Sequence, residues 1–143
     1  MSDPARASPR ALLLFAHGAR DAAWAVPFEA VLARVRALRP ELQVALAFLE
    51  LMQPDLAAAA TLLVQRGCRQ VDVLPLFLGT GGHVRRDLPQ LLQRLQARHP
   101  STSWRLHDPI GEHPDVIEAI AGVAAASAPQ DQSTTPIVSP DAP

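Results

Sequence analysis

Four times in succession, this sequence follows a short apolar run of strand length with a stretch whose apolar residues recur at helical spacing. Residues 10–16, RALLLFA, form a nearly unbroken apolar run, the pattern of a strand covered on both faces. Phe28, Val31, Leu32, Val35 and Leu38 then return every three or four positions, and Pro40 closes the segment. A second strand is expected over 43–49 (QVALAFL). A second helix follows, with Leu56, Ala59, Ala60 and Leu63 on one stripe, opened at Pro54-Asp55 and stopped at Gly67. The third strand is expected over 70–77 (QVDVLPLF), with Pro75 near its end, where a missing N–H is easier to accommodate. Leu88, Leu91, Leu92 and Leu95 mark a third helix ending near His99-Pro100, and 103–107 read as a weaker fourth strand. The last helix, 114–126, is expected to turn Val116, Ile117, Ile120 and Val123 inward.

Short links between strand and helix require right-handed crossovers, so the expectation is an α/β fold: a four-stranded, mostly parallel sheet with helices on both faces. Ligands of such sheets bind outside the carboxyl ends of the strands, which tells where to look for chemistry. With 143 residues, 48% of them hydrophobic, one domain with a real core is expected, over residues 10–127. Residues 1–9 read as a flexible N-terminus. Residues 128–143 are rich in Pro, Ser, Thr and Asp with only Ile137 and Val138 to bury, and read as a disordered tail. A net charge of -1 without a basic stripe gives no reason to expect nucleic acid or an anionic membrane as partner. No run is long enough for a membrane span, and a cytoplasmic protein is expected. The lone Cys68 reads as a small core residue.

Three side chains suited to metals stand just past the first three strands: His17, Glu50 and His83. Two imidazoles and a carboxylate suit a divalent first-row metal such as Fe, Co, Ni or Zn. Each alone is more often a hydrogen-bonded scaffold group; the argument lies in the coincidence of three at one edge. The loop Leu78-Gly79-Thr80-Gly81-Gly82 has two open readings, an anion cradle at a helix N-terminus or a turn needing positive φ. It lacks the glycine-lysine-Ser/Thr ending of a nucleotide loop, and no GxGxxG follows the first strand, so no nucleotide is expected. Arg20, Arg85 and Arg86 around the same edge suggest a polyanionic ligand. His107, Asp108 and His113 fall near that edge after strand four, with His113-Pro114 also readable as a helix start. His99 reads as a helix-terminal cation and Trp104 as a packing residue, while Trp24 and Phe28 could wall a pocket or fill the core. No Ser or Cys sits in a nucleophile elbow, so covalent catalysis finds no support.

The segments HGARD (17–21), PFE (27–29), AFLELMQP (47–54), PLFL (75–78) and GHVRRDLP (82–89) together resemble the small sirohydrochlorin chelatases, the CbiX/SirB type of class II chelatase. The resemblance runs from about Leu12 to Ala124 and is carried by the combination of segments. It implies a flavodoxin-like chelatase domain that inserts Co²⁺ or Fe²⁺, with Ni²⁺ a third option, into the tetrapyrrole sirohydrochlorin without ATP, in cobalamin or siroheme biosynthesis. It also implies metal ligation by His17, Glu50 and His83, substrate contacts from Met52 and from Leu78, Gly79, Thr80, Gly81, Gly82 and His83, and a homodimer that completes the cleft. Ala19 stands where the family carries serine. Two other classes stay open from the residues: a non-catalytic metal or tetrapyrrole carrier, and a flavodoxin-like module that binds an anion or flavin through the glycine loop.

Overall fold

The computed structural model of the chain describes residues 8–131. The expectations for residues 1–7 and for the tail from residue 132 lie outside the described residues. Four strands form one parallel sheet in the order β2-β1-β3-β4, with β1 at Arg10–Ala16, β2 at Gln43–Phe48, β3 at Gln70–Pro75 and β4 at Ser103–Leu106. Four helices connect and follow them: α1 Ala25–Leu38, α2 Leu56–Gln65, α3 Gly82–Arg98 and α4 Pro114–Ala126. The chain leaves β1 for β2 on one side and then crosses back over β1 to β3. The switch in winding direction therefore falls between β1 and β3, and a crevice is expected at their carboxyl ends.

The strand residues split by parity, as a pleated sheet requires. Ala11, Leu13, Phe15, Val71 and Val73 face α2 and α3, where they join Leu56, Ala60, Leu63, Leu88, Leu92 and Leu95 in the larger buried cluster. Leu14, Ala16, Val44, Leu46 and Phe48 face α1, where Phe28, Leu32 and Val35 pack on them. Cys68 is fully buried in the larger cluster, as expected, and Trp104 packs against that cluster from β4, its ring 5.9 Å from that of His99. Helix α2 starts where the Asp55 carboxylate accepts from the Ala58 N–H at 2.8 Å, and it stops at Gly67, whose φ of +87° continues no right-handed helix. The strand boundaries expected from sequence hold to within one residue, except that β3 ends at Pro75 rather than Phe77.

One expectation about packing is corrected. Helix α4 forms at the expected residues, with Pro114 in its first turn and the His113 ring accepting from the Asp115 N–H at 3.2 Å. Its apolar stripe, however, does not turn inward. No residue of α4 is buried, and Ile117, Ile120 and Val123 are exposed. The α1 side of the sheet is consequently bare over β3, where Val71, Val73 and Pro75 are buried while the intervening Asp72, Leu74 and Leu76 are only half-buried. Both faces thus carry helices, but the α1 face is covered for half its width. Among the described residues, no helix is long and apolar enough to cross a membrane.

Candidate functional site

The first two loops at the carboxyl edge are pressed together at one point. Backbone pairing continues past the strands, with the Leu49 N–H donating to the Ala16 carbonyl at 2.8 Å and the Leu76 N–H to that of Phe15 at 2.7 Å. Beyond this, Gly18 lies so close to the second loop that a Cβ there would stand 1.7 Å from the Glu50 carbonyl oxygen. No residue but glycine permits that approach. It brings His17 Nδ1 to 3.1 Å from Glu50 Oε1, both side chains being about two-fifths exposed.

Three further contacts hold the pair. The His17 ring rests on Phe77, centroids 4.4 Å apart and 34° from parallel. The Trp24 indole N–H donates to the His17 carbonyl at 2.8 Å, and Trp24 in turn packs on Phe28 at 5.7 Å. On the other loop Leu51 takes φ of +63°, unfavourable for a branched side chain, while the Met52 N–H bonds the Glu50 carbonyl at 2.8 Å. Asp21 opens the short 3-10 turn Ala22–Trp24 by accepting from the Ala23 N–H at 2.9 Å, which sets where Trp24 stands.

With Glu50 ionised, the proton of neutral His17 belongs on Nδ1, where it donates to the carboxylate. Nε2 then presents a lone pair, able to ligate a cation or to accept a proton. His17 stands at the mouth of an apolar groove of about 600 Å³ that runs between α1 and the bare face of β1 and β3. Trp24, Phe28, Leu76, Phe77, Leu78 and Gly79 line its upper end. Trp24 thus walls a pocket, and Phe28 both lines it and packs on the buried Phe48 side of the core.

His83 does not join His17 and Glu50. It is the second residue of α3, exposed, and the described residues contain no group of three His, Cys, Asp or Glu side chains close enough to hold a metal. The expected convergence is therefore realised for two of the three residues. The physical reason lies in the link that carries the third. At Gly79 and Gly81 a Cβ would meet nothing within 4 Å, so no packing draws this loop toward the first two. These glycines do not serve positive φ either, since Gly67 is the only described glycine in that region.

The remaining candidates divide. Arg85 is engaged with Glu112 at 3.3 Å and Thr80 at 3.5 Å, and Arg86 Nε donates to the Gly82 carbonyl at 3.2 Å. Arg20 is exposed beside the His17 loop. Met52 is half-buried against Phe48 and its neighbours and lies 3.2 Å from the Cβ position of Gly18, so it backs the first loop. His107 is paired with Asp72 at 2.6 Å on the bare sheet face, His113 caps α4, and Asp108 lines a small side pocket with Thr80 and Arg85. Gly18, Phe77 and the bracing role of Trp24 escaped the sequence. A glycine directly after a strand-end histidine was the one available sign of the close approach.

The CbiX family model matches residues 11–126. The sirohydrochlorin ferrochelatase of Bacillus subtilis strain 168 is 32% identical over 75 residues, 52% of this chain and 29% of that one. The sirohydrochlorin cobaltochelatase of Saccharolobus islandicus strain L.S.2.15 is 29% identical over 109 residues, 70% of this chain and 81% of that one. Among solved structures, a CbiX protein from Marinobacter aquaeolei VT8 superposes with a TM-score of 0.74 at 35% identity, covering 82% of this chain and 96% of that one. The sirohydrochlorin chelatase SirB of Bacillus subtilis subspecies spizizenii, in complex with cobalt, superposes with a TM-score of 0.68 at 27% identity, covering 84% of this chain and 51% of that one. The matched stretch thus spans less than a third of the Bacillus ferrochelatase and about half of the solved Bacillus chain.

Proposed function

The chain belongs to the CbiX family, and from that membership we propose that it inserts Co²⁺ or Fe²⁺ into sirohydrochlorin. The observation that carries the reading is the His17–Glu50 pair, 3.1 Å apart, at the mouth of the apolar groove. Metal insertion exchanges one divalent cation for the two pyrrole N–H protons of the ring. It needs a cation held loosely at the ring face, an apolar wall for the macrocycle, and a base to take the protons. His17 Nδ1 and Glu50 Oε1, 3.1 Å apart, supply two adjacent donors in an open setting once a cation displaces the proton between them, which suits a metal that must be given up again, and Nε2 stays available to a proton. His17 is the first candidate for the proton acceptor and His83, on the glycine loop, the second and the third ligand. Trp24, Phe77 and Leu78 offer the apolar wall, and the exposed Arg20 and Arg86 are the proposed partners of the ring carboxylates. Nothing in the chain resembles a nucleotide loop, in keeping with insertion that proceeds without ATP. From the resemblance to the small chelatases we also take it that the chain works in the cytoplasm and that a second copy completes the cleft.

Anaerobic absorbance tests this. Sirohydrochlorin with Co²⁺ or Fe²⁺ changes spectrum faster in the presence of the protein, and His17→Ala and His83→Ala each remove the acceleration. If both variants keep the full rate, the assignment of ligands and base is wrong. Stoichiometric binding with no turnover would make the protein a carrier, and a yellow protein with bound flavin would make it a flavin module.

A further inference from the structure

The second loop holds a leucine in a conformation that leucines avoid. Glu50, Leu51 and Met52 form a three-residue turn, closed by the Met52 N–H donating to the Glu50 carbonyl at 2.8 Å, and the central residue Leu51 has φ of +63°. This is the positive-φ form of the γ-turn, rare and strained, and glycine or asparagine would adopt it at lower cost. The loop is held in this form from two sides. At its base the Phe48 N–H donates to the Pro54 carbonyl at 2.9 Å, and at its crown the backbone of Gly18 lies directly against the Glu50 carbonyl.

Packing does not account for the leucine. Leu51 is 64% exposed and belongs to neither buried cluster, whereas its neighbour Met52 is turned in against Phe48 and the residues around it. The turn has exchanged the places of the two. The resemblance to the small chelatases assigns a substrate contact to Met52, and the structure presents Leu51 to solvent instead. An apolar side chain kept exposed at a cost in backbone strain, one residue from Glu50, is held for contact with something outside the loop.

The strand order identifies the surface that this contact belongs to. Strand β1 lies between β2 and β3, so the loop of His17 has the Leu51 loop on one side and the loop of Phe77 and Leu78 on the other. Leu78 is 68% exposed. Neighbouring strands are about 4.8 Å apart, which sets the two outer loops roughly 10 Å from each other with the His17–Glu50 contact between them. Two exposed leucines flanking a pair of polar donors fit a flat apolar body whose reactive polar atoms lie at its centre. A tetrapyrrole is such a body, with its nitrogens central, its faces apolar and its carboxylates on the rim.

We infer that Leu51 is a contact residue for the face of the macrocycle, on one side of the donor pair as Leu78 is on the other, so that the ring centre settles over Glu50 and His17. This rests on the insertion reading above and adds a residue that sets where the ring lies. Leu51 takes no part in holding the cation or the protons.

The test separates the side chain from its backbone. Leu51→Gly deletes the hydrocarbon and suits the turn. Its Tm is at or above that of the wild type, its Co²⁺ affinity in isothermal titration is unchanged, and its Kd for sirohydrochlorin, titrated by absorbance without metal, rises about 10-fold, the factor for leaving most of one leucine uncovered. Leu51→Asn, which also tolerates positive φ, shows the same loss, and Leu51→Met restores wild-type binding of the ring. A wild type that neither binds sirohydrochlorin nor speeds insertion overturns this inference and the insertion reading together. An active wild type whose Leu51→Gly variant binds sirohydrochlorin equally well overturns this inference alone. Loss of ring binding with a lowered Tm in both variants overturns it in favour of a structural leucine, and a changed mass in light scattering overturns it in favour of a contact with a second copy.

Discussion

Replacing Gly18 by alanine introduces a single methyl group and tests the geometry of the whole site. The new Cβ would stand 1.7 Å from the Glu50 carbonyl oxygen and 3.2 Å from Met52 Cγ, whereas ordinary contact begins at 3.4 Å. The obstacle is backbone, so no side-chain rotation relieves it, and the two loops must part by about 1.7 Å. If Glu50 moves with its loop, the 3.1 Å bond to His17 opens past hydrogen-bond length. Metal donor sets tolerate errors of about 0.2 Å, and a misplacement of about 1 Å at a reacting centre costs on the order of 100-fold in rate. Gly18→Ala should therefore lower the rate of Co²⁺ insertion into sirohydrochlorin by about 100-fold, followed as the anaerobic absorbance change. Overpacking of this kind costs about 1–3 kcal/mol, and for a domain of this size it lowers Tm by roughly 4–12 °C, so the variant stays folded at the assay temperature. A variant with the wild-type rate, or one whose structure keeps the His17–Glu50 contact, would refute the claim that this approach assembles the site.

Glu50→Gln keeps the shape of the side chain and removes its charge; it should weaken Co²⁺ binding in isothermal titration by about 10- to 100-fold, the range for losing a partner that orients a metal-binding histidine. Trp24→Phe keeps the packing on Phe28 and deletes the indole N–H that fixes the His17 carbonyl, so kcat should fall several-fold with Tm within about 4 °C of wild type, the loss of one hydrogen bond being about 1 kcal/mol. Burial raises the Cys68 thiol above its ordinary range, which means the folded chain holds that proton to higher pH than the unfolded chain does. The resulting stability is complete below the unfolded thiol value and is lost as pH rises through the folded one; urea midpoints should therefore decline on the alkaline side, and Cys68→Ser should flatten that decline. In the native protein Cys68, with no exposed surface, should react with a thiol reagent only at the rate of unfolding.

The sheet was legible because parity and helical period are properties of single segments. The run from Arg10 to Ala16 and the stripe from Leu56 to Leu63 each declare their own form, and crossover handedness then orders the strands. What lies between segments was not legible. The collision distance at Gly18, the ring of Phe77 beneath His17 and the unfavourable φ at Leu51 arise only when loops distant in sequence meet. His83 shows the same limit from the other side, since a residue type at a strand edge specifies neither reach nor direction. The misreading of α4 is of a different kind. Its stripe at Val116, Ile117, Ile120 and Val123 announces that something must cover it and is silent on which molecule supplies the cover.

The chain has two tryptophans and no tyrosine. Trp24 stands at the mouth of the groove, bonded to the histidine loop, while Trp104 packs against the opposite side of the sheet. Intrinsic fluorescence therefore divides into two independent channels without any label. On the proposed function, quenching of the Trp24 emission should report arrival of a cation or a light-absorbing ring and the Trp104 emission unfolding, which would make a Trp104→Phe protein a self-contained optical sensor of site occupancy.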